Sequence, residues 1–433
     1  DDLAFRNHLF DAFRTVARRY GFEEYDGPPL EPLELYTAKS GDEIVGQLYN
    51  FVDKGDRPVA LRPEMTPTLA RMVAARANGL RKPIRWFSIP QLFRYERQQR
   101  GRLREHFQLN CDLIGEAGPA ADAEIIALAV DVMRQLGLGP DDVRVRLSDR
   151  RLLNAILQSL AIAERLWPDV YQYLDKLGRR EDVKLRDTLL EAGLEAPTLE
   201  SLAALRELTS WADLEAAHPA AVNAAPALRE VIAALESMGL GDFLDLDLTI
   251  VRGLAYYTGT VFELFDAGRT LRAICGGGRY DNLLQAVGGV DLPALGFGMG
   301  DVVLGELLKE RGLAPAPAAS IDCFLAAIGE GDHPHLLGLA RELRDAGWRV
   351  EYALGPQNLG KQMKLADARG VRLVVVMGED ERARGAVVLK DLGERTQREV
   401  SLAELPAALT AVLGPPPAAH RASFTAHHSE THG

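Results

Sequence analysis

Apolar residues recur at helical spacing over residues 3–20, at Phe5, Leu9, Phe10, Phe13 and Val16. That pattern predicts an amphipathic helix stopped by Gly21. An extended, Pro-rich stretch interrupted by Asp26-Gly27 follows to Pro32. Residues 48–53 read as a strand, Lys54-Gly55-Asp56 as a turn and 59–62 as the returning strand. A helix is predicted over 66–77, strands over 84–89 and 107–114, and a long amphipathic helix over 120–136, opened by Gly118-Pro119 and ended by Gly137. Residues 163–240 are rich in Ala, Leu, Glu and Arg with helical periodicity and no clear strand, so they read as a helical insertion. Strands resume at 244–251 and 260–265.

The texture changes at Ala314-Pro315-Ala316-Pro317-Ala318-Ala319, a linker signal. Beyond it strands at 322–327, 350–353, 373–377 and 386–390 alternate with helices at 336–346 and 359–369. Alternation of this kind predicts a small, mostly parallel α/β domain. From Pro415 the chain is Pro-rich and then polar, with His420, His427, His428 and His432. A disordered tail is the better reading there than a metal site.

Composition narrows the class. The 433 residues are 47% hydrophobic and 26% charged, ordinary for a soluble globular protein of two or three domains. No apolar run reaches ~18 residues, so no membrane-spanning helix is expected. The start, Asp1-Asp2-Leu3-Ala4-Phe5-Arg6, has no signal-peptide pattern and no Met, so a trimmed start is expected. Cys111, Cys275 and Cys323 are odd in number and far apart. They favour a reducing cytosol over a disulfide framework or a Cys-based zinc site. The net charge of −12 argues against a generic nucleic-acid binder but leaves room for local basic patches.

Four segments carry candidate chemistry. Five arginines (Arg94, Arg97, Arg100, Arg102 and Arg104) fall within residues 94–104 between two predicted strands, with no Lys among them. Planar, bidentate Arg suits a phosphate clamp, and an ion-pair network is as good a reading from spacing alone. Residues 252–263, Arg-Gly-Leu-Ala-Tyr-Tyr-Thr-Gly-Thr-Val-Phe-Glu, put an Arg and two adjacent tyrosines ahead of a strand, which taken singly reads as a core aromatic pair beside a surface Arg. Cys275-Gly276-Gly277-Gly278-Arg279-Tyr280-Asp281 leaves backbone bare for a ligand, or is a flexible turn. In Leu61-Arg62-Pro63-Glu64-Met65-Thr66, Glu64 and Thr66 face a cleft, or Thr66 caps the next helix.

Together, in order and spacing, these segments resemble the class II histidyl-tRNA synthetases. The Arg-rich hairpin resembles the class's motif 2, residues 252–263 the family's first histidine signature and 276–281 its second. Pro28-Pro29-Leu30-Glu31-Pro32 resembles motif 1, the class's dimer interface. The resemblance implies an α+β fold: a class II catalytic domain on an antiparallel sheet (1–162 and 241–313), with the helical insertion at 163–240. A linker at 314–320 would lead to a C-terminal α/β anticodon-binding domain at 321–414 and a flexible tail at 415–433. It implies a cytoplasmic homodimer that activates L-histidine with ATP and transfers it to the 3′ end of histidine tRNA, with Mg²⁺ on the pyrophosphate and no protein-held metal.

Carried over position by position, the resemblance places Glu64, Met65, Thr66, Gln108, Asp112, Arg252, Tyr256 and Tyr257 around histidine. Glu64, Thr66 and Gln108 would hold the α-amino group, while Asp112 and Tyr257 would read the imidazole nitrogens. Arg94 and Arg252 would be the catalytic cations on the α-phosphate. Glu96 would contact adenine, Arg102 the distal phosphates, and Gly276, Gly277 and Gly278 would underlie the nucleotide. Two positions depart from the common pattern, Ala255 where most members carry Asp and Val303 where motif 3 carries Arg. Both changes resemble a bacterial and plant-organellar branch, with Arg100, Arg104 or Arg272 available to replace the lost arginine. In the C-terminal domain Lys361, Lys364 and Arg372 are the tRNA-phosphate candidates. A regulatory partner of ATP phosphoribosyltransferase and a non-catalytic sensor are the competing classes. The α/β module and the intact Arg252, Tyr256 and Tyr257 weigh against the first of them.

Overall fold

The computed structural model describes residues 2–37, 46–95, 101, 103–178, 180–251, 257–315, 321–355 and 357–416. They form two compact units, the first ending at Pro315. In chain order the first unit carries β1 (Glu23–Glu24), β2 (Leu30–Pro32), β3 (Asn50–Val52), β4 (Pro58–Leu61), β5 (Ile84–Ser88), β6 (Gln91–Phe93), β7 (Glu105–Ile114), β8 (Val143–Asp149), β9 (Leu244–Leu246), β10 (Thr260–Asp266), β11 (Cys275–Arg279) and β12 (Ala294–Gly300). The main sheet runs β1-β5-β7-β12-β11-β10-β8-β9, with β6 also paired to β7. Its central pairs are all antiparallel, and the two end pairs, β1/β5 and β8/β9, are parallel.

Strand alternation gives this sheet two unlike faces. One is apolar. Phe87, Leu109, Cys111, Leu113, Val145, Leu147, Phe262, Leu264, Leu295, Phe297 and Met299 are buried there in one core, against apolar residues of helices Asp2–Arg19, Pro119–Gln135 and Asp301–Glu310. The same core takes in the insertion, whose helices Trp167–Lys176, Ala196–Ala204 and Pro226–Ser237 bury Leu174, Leu199 and Leu228. The opposite face is polar or bare in its middle, and is closed at one end by a smaller cluster on helices Thr66–Ala74 and Leu283–Gly288.

In this unit the structure decides two points the sequence left open or misplaced. The strand expected at 244–251 ends at Leu246, because Asp247 Oδ1 accepts from Thr249 N (3.1 Å) and Oγ1 (2.6 Å) and turns the chain. The glycine run 276–278 is no turn. It lies in the interior of β11, paired on both sides, with all five strand residues buried.

The second unit has β13 (Cys323–Ala327), β14 (Val350–Tyr352), β15 (Leu373–Met377), β16 (Ala386–Asp391) and β17 (Thr396–Ser401), ordered β14-β13-β15-β16-β17. Only its first three strands are parallel. β13 and β15 are buried along their whole length, which explains their unbroken apolar runs.

Candidate functional site

The bare face is built by register. Gly276 pairs with Gly298 and Gly278 with Gly296, so four glycines on two neighbouring strands share one face. Side chains from the flanking strands fill the space a Cβ would take. A Cβ on Gly298 would lie 2.6 Å from Gln108 Cδ, one on Gly296 would collide with Asp112 Oδ1, and one on Gly278 would lie 3.0 Å from the Tyr257 ring. Gln108, Asp112 and Tyr257 therefore meet over a glycine floor, as a ligand-facing reading of these positions requires.

Gly277 points the other way. Its register partners Phe262 and Phe297 bring their rings to 6.3 Å on the core face, and a Cβ on Gly277 would lie 2.6 Å from Phe297 Cβ. Its missing side chain serves the core, unlike those of Gly276 and Gly278.

Asp112 is 2% exposed. Its Oδ1 accepts from the Tyr280 hydroxyl, and its Oδ2 is buried without a hydrogen-bond partner. Burial pushes its carboxyl up to about 7, against the opposing pull of the Tyr280 bond. Tyr280 is a candidate site residue that sequence reasoning did not single out, although it stands two residues past the glycine run. Its backbone N donates to Ala294 O (2.7 Å), which fixes it at the end of β11.

The second group of side chains comes from residues 62–66 and the Arg-rich hairpin. Arg62 is buried and donates to Gln91 O (3.0 Å), Gly27 O (2.6 Å) and Asp26 Oδ1 (3.1 Å). Phe93 N donates to Arg62 O (3.0 Å), so the hairpin and the turn before helix Thr66–Ala74 are one assembly. Arg94 Nε donates to Pro63 O (2.9 Å), placing this guanidinium beside Glu64, which is itself buried. Met65 is the N-cap residue of the helix and makes no side-chain cap bond, so Thr66 is the first helical residue rather than its cap. The Met65 side chain is wholly buried, with Cε 2.8 Å from where a Cβ on Gly27 would stand. Burial, reinforced by Arg94, pulls the His106 imidazole down to about 4, so it is neutral near pH 7.

Val303 and Arg272 both border Gly101, 3.4 and 3.7 Å from a Cβ there. Arg104 instead stacks on the Tyr95 ring at 4.8 Å. Arg252, Tyr256, Glu96, Arg102, Arg100 and Ala255 lie outside the described residues. Cys111, Cys275 and Cys323 are buried free thiols. Two concavities elsewhere, of about 510 Å³ around Ala74–Leu80 and 380 Å³ beside Tyr173 and Arg186, do not touch the glycine face.

In the second unit Lys361 and Lys364 are exposed on helix Leu359–Ala368, whose N-terminus is capped by Asn358 Oδ1 accepting from Lys361 N (3.0 Å). Arg372 sits at the other end of that helix, just before β15, and is engaged by Asp391 at 3.0 Å.

The histidyl-tRNA synthetase family matches residues 1–300, and an anticodon binding domain matches residues 322–411. A histidine–tRNA ligase of Opitutus terrae is 45% identical over 92% of this chain and 93% of its own length. The crystal structure of histidyl-tRNA synthetase from Nostoc superposes with a TM-score of 0.81 at 26% identity, covering 94% of this chain and 95% of that one. A Bacillus halodurans structure described as an ATP phosphoribosyltransferase regulatory subunit/histidyl-tRNA synthetase matches at TM-score 0.72 over 87% and 94% of the two chains. Its 24% identity speaks to the fold alone.

Proposed function

The chain belongs to the histidyl-tRNA synthetase family and acts as a histidine–tRNA ligase, and we propose that the glycine face of β7, β12 and β11 is where it activates histidine. The observation that carries this reading is the Asp112 carboxylate, buried beside Gly296 with one oxygen lacking a partner. An imidazole N–H satisfies that oxygen, and a ring lacking the N–H would leave it unpaired, which is how such a site rejects analogues. Tyr257 would supply a hydroxyl to the second ring nitrogen. Glu64, Thr66 and Gln108 would bind the α-ammonium, Glu64 by a charge-assisted bond.

Histidine's carboxylate then attacks the α-phosphorus of ATP and pyrophosphate leaves. Arg94, oriented by its bond to Pro63 O, would stabilise charge on the α-phosphate, with Arg252 opposite it. Glu96 would contact adenine and Arg102 the distal phosphates. Mg²⁺ would arrive on the ATP phosphates. Among the described residues no cluster of three or more His, Cys, Asp or Glu is placed to hold a metal.

The second unit would read histidine tRNA, with Lys361 and Lys364 on backbone phosphates. A homodimer through the motif 1 segment is supported by the small sheet β2-β4-β3, whose strand β3 is exposed at all three residues, Phe51 and Val52 among them. No described helix is long and apolar enough to cross a membrane.

Histidine-dependent ATP–pyrophosphate exchange, followed by charging of histidine tRNA, tests the whole reading. Exchange that is normal in Asp112→Ala would remove Asp112 from the pocket.

A further inference from the structure

Buried polar atoms nearly always find a partner. Three on this face of the sheet do not: Asp112 Oδ2, Tyr25 Oη and Ser88 Oγ. They are neighbours. Asp112 is the register partner of Trp86, and Ser88 projects on the same face two residues along β5. The Tyr25 ring lies 5.3 Å from Trp86. After its burial, the strongest influence on the Tyr25 hydroxyl is the Asp112 charge, and Ser88 is next.

The corner is rigidly framed. Tyr25 N donates to Phe87 O (2.9 Å), and Arg62 holds the two residues that follow Tyr25. An all-apolar corner would avoid the desolvation of two hydroxyls, so their presence calls for a polar task.

We infer that Tyr25, backed by Ser88, is a positioning residue for Asp112: its hydroxyl is the donor that keeps the carboxylate anionic and turned toward the substrate ring. The inference rests on the assignment of Asp112 to the imidazole. Donor counting supports it. Oδ1 takes the Tyr280 hydroxyl, and Oδ2 has room for two donors, the imidazole N–H and the Tyr25 O–H. A carboxylate with three donors stays ionised even when buried. A protonated one would present a donor where the ring presents a donor. Asp112 Oδ2 has no hydrogen-bond partner, so the bond from Tyr25 forms as the ring seats, with Ser88 close enough to the Tyr25 hydroxyl to act on it. Ser88 then donates to Tyr25 Oη.

The groups facing Asp112 among the described residues are Tyr280 from the end of β11, Tyr25 from the segment after β1, Tyr257 over Gly278 of β11, and Gln108 on its own strand. Arg62 is the cation acting on Tyr25. Cys111 points into the opposite, apolar face.

Tyr25→Phe keeps the ring on Trp86 and removes only the hydroxyl. The test measures KM for histidine and for ATP in pyrophosphate exchange from pH 5.5 to 9, in wild type, Tyr25→Phe, Ser88→Ala and Asp112→Asn. Tyr25→Phe is expected to raise the histidine KM ~10-fold near pH 7 and to move the acid limb of kcat/KM for histidine up by about one pH unit. The ATP KM stays within about twofold. Ser88→Ala shifts the limb the same way by less. The titration of free histidine is common to all four proteins and cancels in ratios to wild type. A Tyr25→Phe profile that overlays wild type overturns the inference, as does a matched rise in both KM values with a lower melting temperature. An unchanged histidine KM in Asp112→Asn defeats the pocket assignment itself. That result is distinct from an impaired Asp112→Asn beside a normal Tyr25→Phe, which defeats only the role of Tyr25.

Discussion

The Tyr280 hydroxyl donates to Asp112 across the width of β12, tying a residue just past the glycine run to an acidic side chain over the glycine floor. Burial nonetheless keeps the carboxyl at about 7, far above its ordinary 3.8. A raised acid costs the folded state stability once the unfolded chain can ionise. Below pH ~4 both states hold the proton and nothing is lost. As pH rises from ~4 to ~7 the unfolded chain releases its proton and the folded one retains it, so stability falls, by on the order of 4 kcal/mol in full. Asp112→Asn should therefore melt above wild type at pH 8, with the gap closing toward pH 4.5, while histidine ceases to raise its melting temperature. Thermal melts at the two pH values with and without histidine check this.

The glycines should respond to alanine in two different ways. Gly277→Ala forces a Cβ into the Gly296 carbonyl and Phe297, both on fixed backbone, and should lower stability by several kcal/mol, of the order seen for overpacked cores. Gly298→Ala meets only the amide end of Gln108, a flexible group. It should fold and raise the histidine KM, a contrast read by denaturant unfolding and pyrophosphate exchange.

Arg94 Nε donates to Pro63 O, and in the proposed reaction its terminal nitrogens would reach the α-phosphate. Arg94→Ala should cut the exchange rate ~10²-fold or more, as loss of a transition-state charge contact does. Arg94→Lys, which has no Nε to hold, should rescue little of it. Single-turnover adenylate formation measures both.

Arg279 and Asp122 form a buried pair, each side chain about 5% exposed, with Arg279 also donating to Glu116 O and Gly118 O. Removing one partner strands the other. Arg279→Met should cost about 3–5 kcal/mol, and Arg279→Met with Asp122→Leu should recover most of it. Urea unfolding of the single and double variants decides the point.

Lys361 and Lys364 are exposed and Arg372 is committed to Asp391. Lys361→Ala with Lys364→Ala should raise the tRNA KM and flatten its salt dependence while pyrophosphate exchange stays normal. Arg372→Ala should change the tRNA KM much less. Aminoacylation at two ionic strengths separates them.

Helical periodicity located the first helix, the helix over 119–135 and the helices of the insertion, because an amphipathic helix writes its buried face into local spacing. Motif order singled out Glu64, Arg94, Gln108, Asp112 and Tyr257 as candidates, and the fold brings Gln108, Asp112 and Tyr257 over one glycine face. The sequence was silent where meaning depended on a neighbour in space. The glycine run read either as backbone open to a ligand or as a flexible turn until its strands were paired, because a glycine carries no periodic signal of its own. Tyr280, Tyr25 and Ser88 are far apart in the chain and gain significance only through Asp112. Likewise Lys361 and Arg372 are close in sequence, yet a helix and the start of β15 separate them, and Asp391 claims one of the two.

The chain's own order of residues thus determined its family and the identity of its candidate chemical groups, since those are local patterns. Which glycine lies on the polar face and which on the core face, and why the Asp112 carboxyl is lifted to about 7, were decided by strand register and burial. Both are properties of residues brought together from distant parts of the chain.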